Sequence, residues 1–302
     1  MPVLRSRTVR LSFSISLLLS AATAVSAQSI TELQKLALAG DPESQFRLGL
    51  EYALGQNVPL DMPQALLWYR KAADQGNGEA QYNLAVAYHN GLGVSRDEAE
   101  SARWYLKAAQ RGVPDAQFAM GLAYETGRGV PKDKTQAIAW YRKAEEKNSY
   151  PAAELELGAM YASGLGAPKD LVEAMRWYRK AAGQGNLVAQ CRLAASYLLG
   201  VGVPVDNAEA ALWLRKAADQ GVIMAQYELG NLYESGEGVA QDYAEAYFWL
   251  SLASAAETNS AKRDELARQR DDAASHLTES ACAETHQRLL KWTAAHAPKS
   301  SP

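Results

Sequence analysis

Six tryptophans set the frame of this chain. Trp68, Trp104, Trp140, Trp177, Trp213 and Trp249 follow one another at steps of 36, 36, 37, 36 and 36 residues, and only Trp292 stands outside the series. Other residues keep the same step. A Leu or Met before a Gly or Ala recurs as Leu48-Gly49, Leu84-Ala85, Met120-Gly121, Leu157-Gly158, Leu193-Ala194 and Leu229-Gly230. A tyrosine follows each: Tyr52, Tyr88, Tyr124, Tyr161, Tyr197 and Tyr233. A fixed period of this kind marks a repeat array, in which each unit buries its apolar face on its neighbours. Six units cover residues 42–255. The one extra residue of the 37 step falls in "KNSYP" (147–151), a turn between units, where an insertion costs least.

Each unit reads as two helices. The first, for example "DAQFAMGLAYETG" (115–127), spaces Phe118, Met120, Gly121 and Tyr124 as a helix rather than a strand. It stops at a glycine pair such as Gly91/Gly93 or Gly236/Gly238, because glycine takes the left-handed conformation that ends a helix. The first unit keeps only Gly55 and has Asn57 at the second place, the next-best residue for that conformation. The second helix starts at Asp61, Asp97, Asp133, Asp170, Asp206 or Asp242, with a Glu or Gln three residues later. That is the spacing of a capping box. The Asp accepts from a free amide of the first turn and the Glu or Gln reaches back to the cap amide, a gain of about 1 kcal/mol per cap. An acid repeated at six helix starts serves structure, not catalysis.

The stretch "WYRKAADQGN" (68–77) resembles an anion site, yet it recurs in nearly every unit. Its Trp, Tyr and paired Ala form a packing face, with Ala72, Ala108 and Ala144 small enough for close helix approach. Its cations, Arg70, Lys71, Arg142, Lys143, Arg179 and Lys180, fall near the helix C-terminus, whose partial negative charge favours them. They are expected to form a solvated ladder on the outer face. The sixth copy, "WLSLASAAET", drops both cations, and no repeat follows it.

The combination Leu-Gly-x-x-Tyr, Gly-x-Gly-Val, Asp, Trp-Tyr and Ala-Ala, as in "AQYNLAVAYHNGLGVSRDEAESARWYLKAAQRG" (80–112), resembles the Sel1-like repeat, a relative of the tetratricopeptide repeat. The resemblance implies an all-α fold: an α/α superhelical solenoid of six repeats, right-handed, with the first helices lining its concave side. The expected organisation is a signal peptide at 1–27, an N-terminal capping helix at 28–41, six repeats at 42–255, and a C-terminal helical cap with a disordered tail at 256–302. "SITELQKLALAGD" (29–41) reads as the second helix of a half-unit, and two further helices are expected near 259–275 and 279–295, the latter capped by Thr278. Caps are physically required, since a stacked array exposes a raw apolar face at each end.

The leader reading rests on Arg5, Arg7 and Arg10, the apolar run Leu11–Val25 and the small residues Val25 and Ala27 before a cut. The run is shorter than the roughly 18–20 residues of a spanning helix, so cleavage and export are expected rather than anchoring. Removing it takes away three arginines and no acid, which moves the net charge from −3 to −6. An acidic chain does not present the basic field that nucleic acid selects. Cys191 and Cys282 lie far apart in segments of different type and do not make a disulfide framework.

No zinc-ligand spacing occurs among His89, His276, His286 and His296, and the glycine pairs follow helices rather than strands, so no phosphate loop is read. The pattern implies no cofactor and no catalytic or metal residues. Cys282 and His286, one helical turn apart, are the nearest approach to a reactive pair and read as part of a capping helix. Alignment to the tetratricopeptide pattern instead points to a partner-binding groove. Phe46, Tyr82 and Phe118 are expected to face it, backed one turn on by Leu50, Val86 and Leu122, with His89 and Glu125 giving polar selectivity. The expectation is a non-catalytic periplasmic or secreted scaffold for a protein or peptide partner, as in envelope signalling or exopolysaccharide control. A secreted host-interaction factor is one alternative. The other is a β-lactam-binding or -hydrolysing enzyme like the Helicobacter cysteine-rich branch of the family, although this chain lacks the per-repeat cysteines. Nothing in the sequence sets an oligomeric state.

Overall fold

The structure, a computed structural model, describes residues 30–296. The expected leader and the end of the tail lie outside the described residues. Among the described residues there are fifteen helices and no strand. The chain divides into two compact units, one ending at Ala116 and the other starting at Gln117.

The first unit holds α1 (Ile30–Leu38), α2 (Pro42–Leu54), α3 (Met62–Asp74), α4 (Gly78–Asn90), α5 (Glu98–Gln110) and the start of α6 (Pro114–Thr126). From α1 to α5 each helix packs on the next. The capping helix α1 buries Leu33 and Ala37 against Leu48 and Trp68. The second unit continues α6 and adds α7 (Lys134–Asn148), α8 (Pro151–Ser163), α9 (Leu171–Gly183), α10 (Leu187–Leu199), α11 (Asn207–Ala218), α12 (Ile223–Ser235), α13 (Tyr243–Ala256), α14 (Ser260–Ser275) and α15 (Glu279–His296). From α7 to α13 neighbours again pack in sequence, and both α14 and α15 then pack on α13. The inserted residue of the long step lengthens α7 to 15 residues and ends it at Ser149, the one described non-glycine residue with a positive φ, 43°.

All six second helices begin as expected, with the Asp side chain accepting from the amide three residues on, at 2.9–3.1 Å. The other half of the capping box is not made. Each cap amide donates instead to the carbonyl of the repeat's own tyrosine, Asp61 to Tyr52 and Asp242 to Tyr233 among them, at 2.9–3.0 Å. A backbone acceptor fixed by the first helix outcompetes a flexible side chain, and it sets the turn between the two helices. The Glu at the third position is thereby released. Glu100 and Glu245 use that freedom to accept from the indole N–H of Trp104 and Trp249.

The Leu-Gly pair is a notch. A Cβ on Gly121 would lie 2.4 Å from the ring of Tyr141, and one on Gly158 would lie 2.5 Å from that of Tyr178. At Gly93, Gly166, Gly202 and Gly238 the second glycine of the pair meets the preceding second helix: a Cβ on Gly238, at φ 73°, would stand 2.3 Å from the Asn207 carbonyl carbon. Asn57 does not take the left-handed conformation expected of it. Its amide and side chain both donate to Glu51, which holds the turn by another route.

Two ties between successive repeats escaped the sequence reading. Four buried glutamines near first-helix starts, Gln45, Gln81, Gln190 and Gln226, donate to the end of the preceding helix, as Gln81 does to Ala73 O at 2.9 Å and Gln226 to Ala218 O at 3.1 Å. Glu154 stands at this place in the fourth repeat, fully buried, and burial raises its pKa. The cations lie mostly exposed, as expected of a solvated face, but they also make specific contacts. Each arginine donates to the tyrosine hydroxyl of the following repeat, Arg70 to Tyr88, Arg179 to Tyr197 and Arg215 to Tyr233, all at 2.7 Å. Each lysine lies over its own tryptophan, Lys71 at 3.9 Å, Lys107 at 3.8 Å and Lys216 at 4.1 Å. A flat ring beside a long cationic stem offers a π face worth about 0.5–1 kcal/mol at such exposed sites. In the second repeat Leu106 takes the arginine's place.

Candidate partner-binding surface

The residues expected to meet a partner lie on three first helices: Phe46 and Leu50 on α2, Tyr82, Val86 and His89 on α4, and Phe118, Leu122 and Glu125 on α6. Spacings of four and seven put each set on one helical face. The first five belong to the first unit and the last three to the second.

In the first unit Phe46, Leu50, Tyr82 and His89 are half-buried, so each offers part of its surface. Val86, at 7 % exposure, offers almost none. The rings are held from behind: Phe46 rests on Tyr69 at 6.0 Å between centroids, and Tyr82 on Tyr105 at 5.7 Å. Tyr69 and Tyr105 are themselves buried. His89 Nδ1 lies 2.9 Å from Glu98, which Arg96 also contacts, so its polar edge is engaged within its own repeat.

Sequence reasoning missed the charge beside these rings. Glu43, Glu79 and Asp115 stand in the first turns of α2, α4 and α6, where the helix dipole favours acids. Burial raises the pKa of Glu79, and the charges of Asp115 and Glu43 raise it further. The Tyr82 phenol is pushed up by burial and then by Asp115 and Glu79. Three carboxylates thus share one field at the ring edge. The signal was present as an acid at the same place in three successive units.

In the second unit Phe118 and Leu122 are half-buried, and Phe118 rests on Tyr141 at 5.5 Å and Tyr150 at 5.2 Å. Glu125 accepts from the Tyr141 hydroxyl at 2.8 Å. The Tyr141 pKa is raised by burial, then by Glu125 and Glu156. The pairing of ring and carboxylate is therefore present in both units.

The thiols carry no sign of activation. Both are free. Burial pushes the Cys191 thiol up, away from the thiolate that a nucleophile requires. Cys282 Sγ lies 3.9 Å from Ala274 O, and His286 is exposed. Among the described residues no group of three or more His, Cys, Asp or Glu could hold a metal ion.

A family model described as the Sel1 repeat matches residues 42–77, 78–113, 114–149, 151–186, 187–222 and 223–257. The residue it skips, Tyr150, lies in the turn that carries the long step. Two solved structures are similar. One is c5321, described as a protective antigen present in uropathogenic Escherichia coli strains and displaying an SLR fold. It is 28% identical, with 91% of this chain and 72% of that chain covered and a TM-score of 0.73. The other is a Sel1 repeat protein from Oxalobacter formigenes, 40% identical, with 72% of this chain and 89% of that chain covered and a TM-score of 0.61. A search of curated proteins gave no match.

Proposed function

The chain belongs to the Sel1 repeat family, and on that premise we propose that it is a non-catalytic scaffold. It holds a partner protein or peptide on the first-helix face of its repeats, outside the cytoplasm. The carrying observation is the row of half-exposed rings, Phe46 and Tyr82, each held on a buried tyrosine beside Glu43, Glu79 and Asp115. Rings anchored from behind lose little freedom on binding, which suits them as anchors for apolar side chains. The carboxylates select basic residues between those anchors. Export is supported by the leader pattern of residues 1–27. No described helix is long and apolar enough to cross a membrane.

The test is capture of partners from a periplasmic extract with the intact protein and with Tyr82→Ala combined with Phe118→Ala. Removing two anchors is expected to weaken capture at least tenfold, about 1.4 kcal/mol. Unchanged capture by a folded double variant defeats the proposal. Affinity for a basic partner should also rise with pH as Glu79, whose pKa is raised, loses its proton. Similarity to a protein described as a protective antigen supports a second placement, at or beyond the cell surface. Cell fractionation separates the two: protein released only by periplasmic extraction excludes the surface reading.

A further inference from the structure

A cleft of about 340 Å³ opens in the second unit where α15 meets α11 and α13. Those three helices carry none of the residues of the first-helix face. Its cations are Arg215, Arg288 and Lys291, and Asp219 is the one acid in its lining. Glu245 is not part of the lining. It accepts from both arginines, Arg215 at 3.1 Å and Arg288 at 2.5 Å, and from the Trp249 indole at 2.9 Å. Its own side chain is only 17% exposed, so it fixes the two guanidiniums in place. With Glu245 counted, three cations face two acids, and the site keeps an excess of one positive charge in a protein whose net charge is −3.

The guanidiniums lie on rings. Arg288 is 4.0 Å from the Phe248 centroid and Arg215 is 4.9 Å from that of Trp249. Stacking strips water from their faces and leaves their in-plane donors as the outlet for hydrogen bonding. The bonds to Tyr233 and Glu245 use Nη2 of Arg215, and the bond to Glu245 uses Nη1 of Arg288. Each guanidinium has five N–H donors, so both keep donors to spare. The remaining wall is flat and aromatic: Trp292 stacks on His296 with centroids 3.8 Å apart. Fixed cations beside an aromatic wall, in a cleft of ligand size, form a recognition site of definite chemistry.

We propose that this cleft binds a small organic monoanion, a carboxylate carried on an aromatic or similarly flat apolar group. The carboxylate bridges Arg288 and Lys291, and the flat group lies along Trp292.

The intact protein is titrated with N-acetyl-L-phenylalaninate, followed by calorimetry and by tryptophan fluorescence. N-acetyl-L-phenylalaninamide supplies the same body without charge, and acetate supplies the charge without the body. Saturable binding of the carboxylate is expected, with the amide and acetate each at least about tenfold weaker. Arg288→Gln should weaken binding by a similar factor. Lys291→Gln, at an exposed position whose change leaves the fold intact, should weaken it severalfold. Tyr82→Ala with Phe118→Ala should leave it unchanged, so failure here and failure of the scaffold reading are told apart. Equal binding of the amide, or no saturation by roughly 10 mM, overturns the proposal. Binding that appears only after residues 297–302 are removed gives the cleft to the chain's own end and overturns it as well.

Discussion

Trp104 and Trp249 hold the same place in the second and sixth repeats, one in each unit. Each indole N–H donates to the glutamate four residues earlier, at 2.8 Å for Glu100 and 2.9 Å for Glu245. Each lies under an arginine of the preceding repeat, Arg70 at 4.8 Å and Arg215 at 4.9 Å. Both are buried, with 3 % and 1 % of their surface exposed. They differ three residues on. Lys107 lies over Trp104 and keeps that face charged and wet, whereas Leu252 is buried and belongs to the cluster on which Leu289 and Trp292 of α15 pack. The periodic tryptophan is scaffold in both places. One turn of helix decides whether it faces solvent through a lysine or accepts a cap, and the cap brings Arg288 and Lys291 of the cleft with it.

The sharpest way to break this comparison is to remove the rings. Trp249→Ala and Trp104→Ala should each cost about 3–5 kcal/mol, measured by urea unfolding. Only Trp249→Ala should also free α15, seen as faster amide exchange over 279–296. Release of those amides by Trp104→Ala would end the distinction.

A smaller difference is expected from the glutamates. Burial works against the Glu245 charge, but hydrogen bonding and attraction from Arg288, with Arg215 and Trp249, outweigh it and hold its pKa below the usual value. A lowered carboxylate stabilises above its unfolded pKa, here the ordinary 4.5, and that stability is lost as pH falls through the folded value. Glu245→Gln should therefore cost about 1.5–3 kcal/mol at neutral pH, the worth of hydrogen bonds to a charged group, and much less in acid. Glu100→Gln, which disturbs only Trp104 and the exposed Arg103, should cost about 1 kcal/mol. Equal losses, or a Glu245→Gln penalty that does not shrink in acid, would show that the paired arginines add nothing.

The smallest effect belongs to Lys107→Leu, which copies the sixth repeat into the second. Loss of the contact with Trp104 is worth about 0.5–1 kcal/mol. The expected consequence is self-association through the bared ring, read by sedimentation. A variant that stays at the parent's mass would mean that Leu252 alone does not make a docking face.

Much of this architecture was legible in the residues. The tryptophan step, the glycine stops and the Asp starts follow local rules that act within one helical turn, and so the helix count, the end of the array and the two closing helices could be read directly. The site was less legible. Phe46, Tyr82 and Phe118 could be placed on one face by period, but their backing by Tyr69, Tyr105 and Tyr141 could not, because those contacts join different helices. The uses of Arg70, Gln81 and the freed Glu100 were hidden for the same reason.

By itself the sequence determined what repeats, where each helix begins and stops, and which copy is last, since backbone conformation and burial pattern are set by near neighbours. The tertiary structure alone decided which partner each polar side chain takes. It gave the exposed arginines the tyrosine hydroxyls of the next repeat, gave the cap amides to tyrosine carbonyls, and set Arg215 and Arg288 around Glu245. Those outcomes depend on distances between different helices, 18 residues apart in the chain for Arg70 and Tyr88 and 30 for Arg215 and Glu245, and a hydrogen bond forms only where such distances close to about 3 Å.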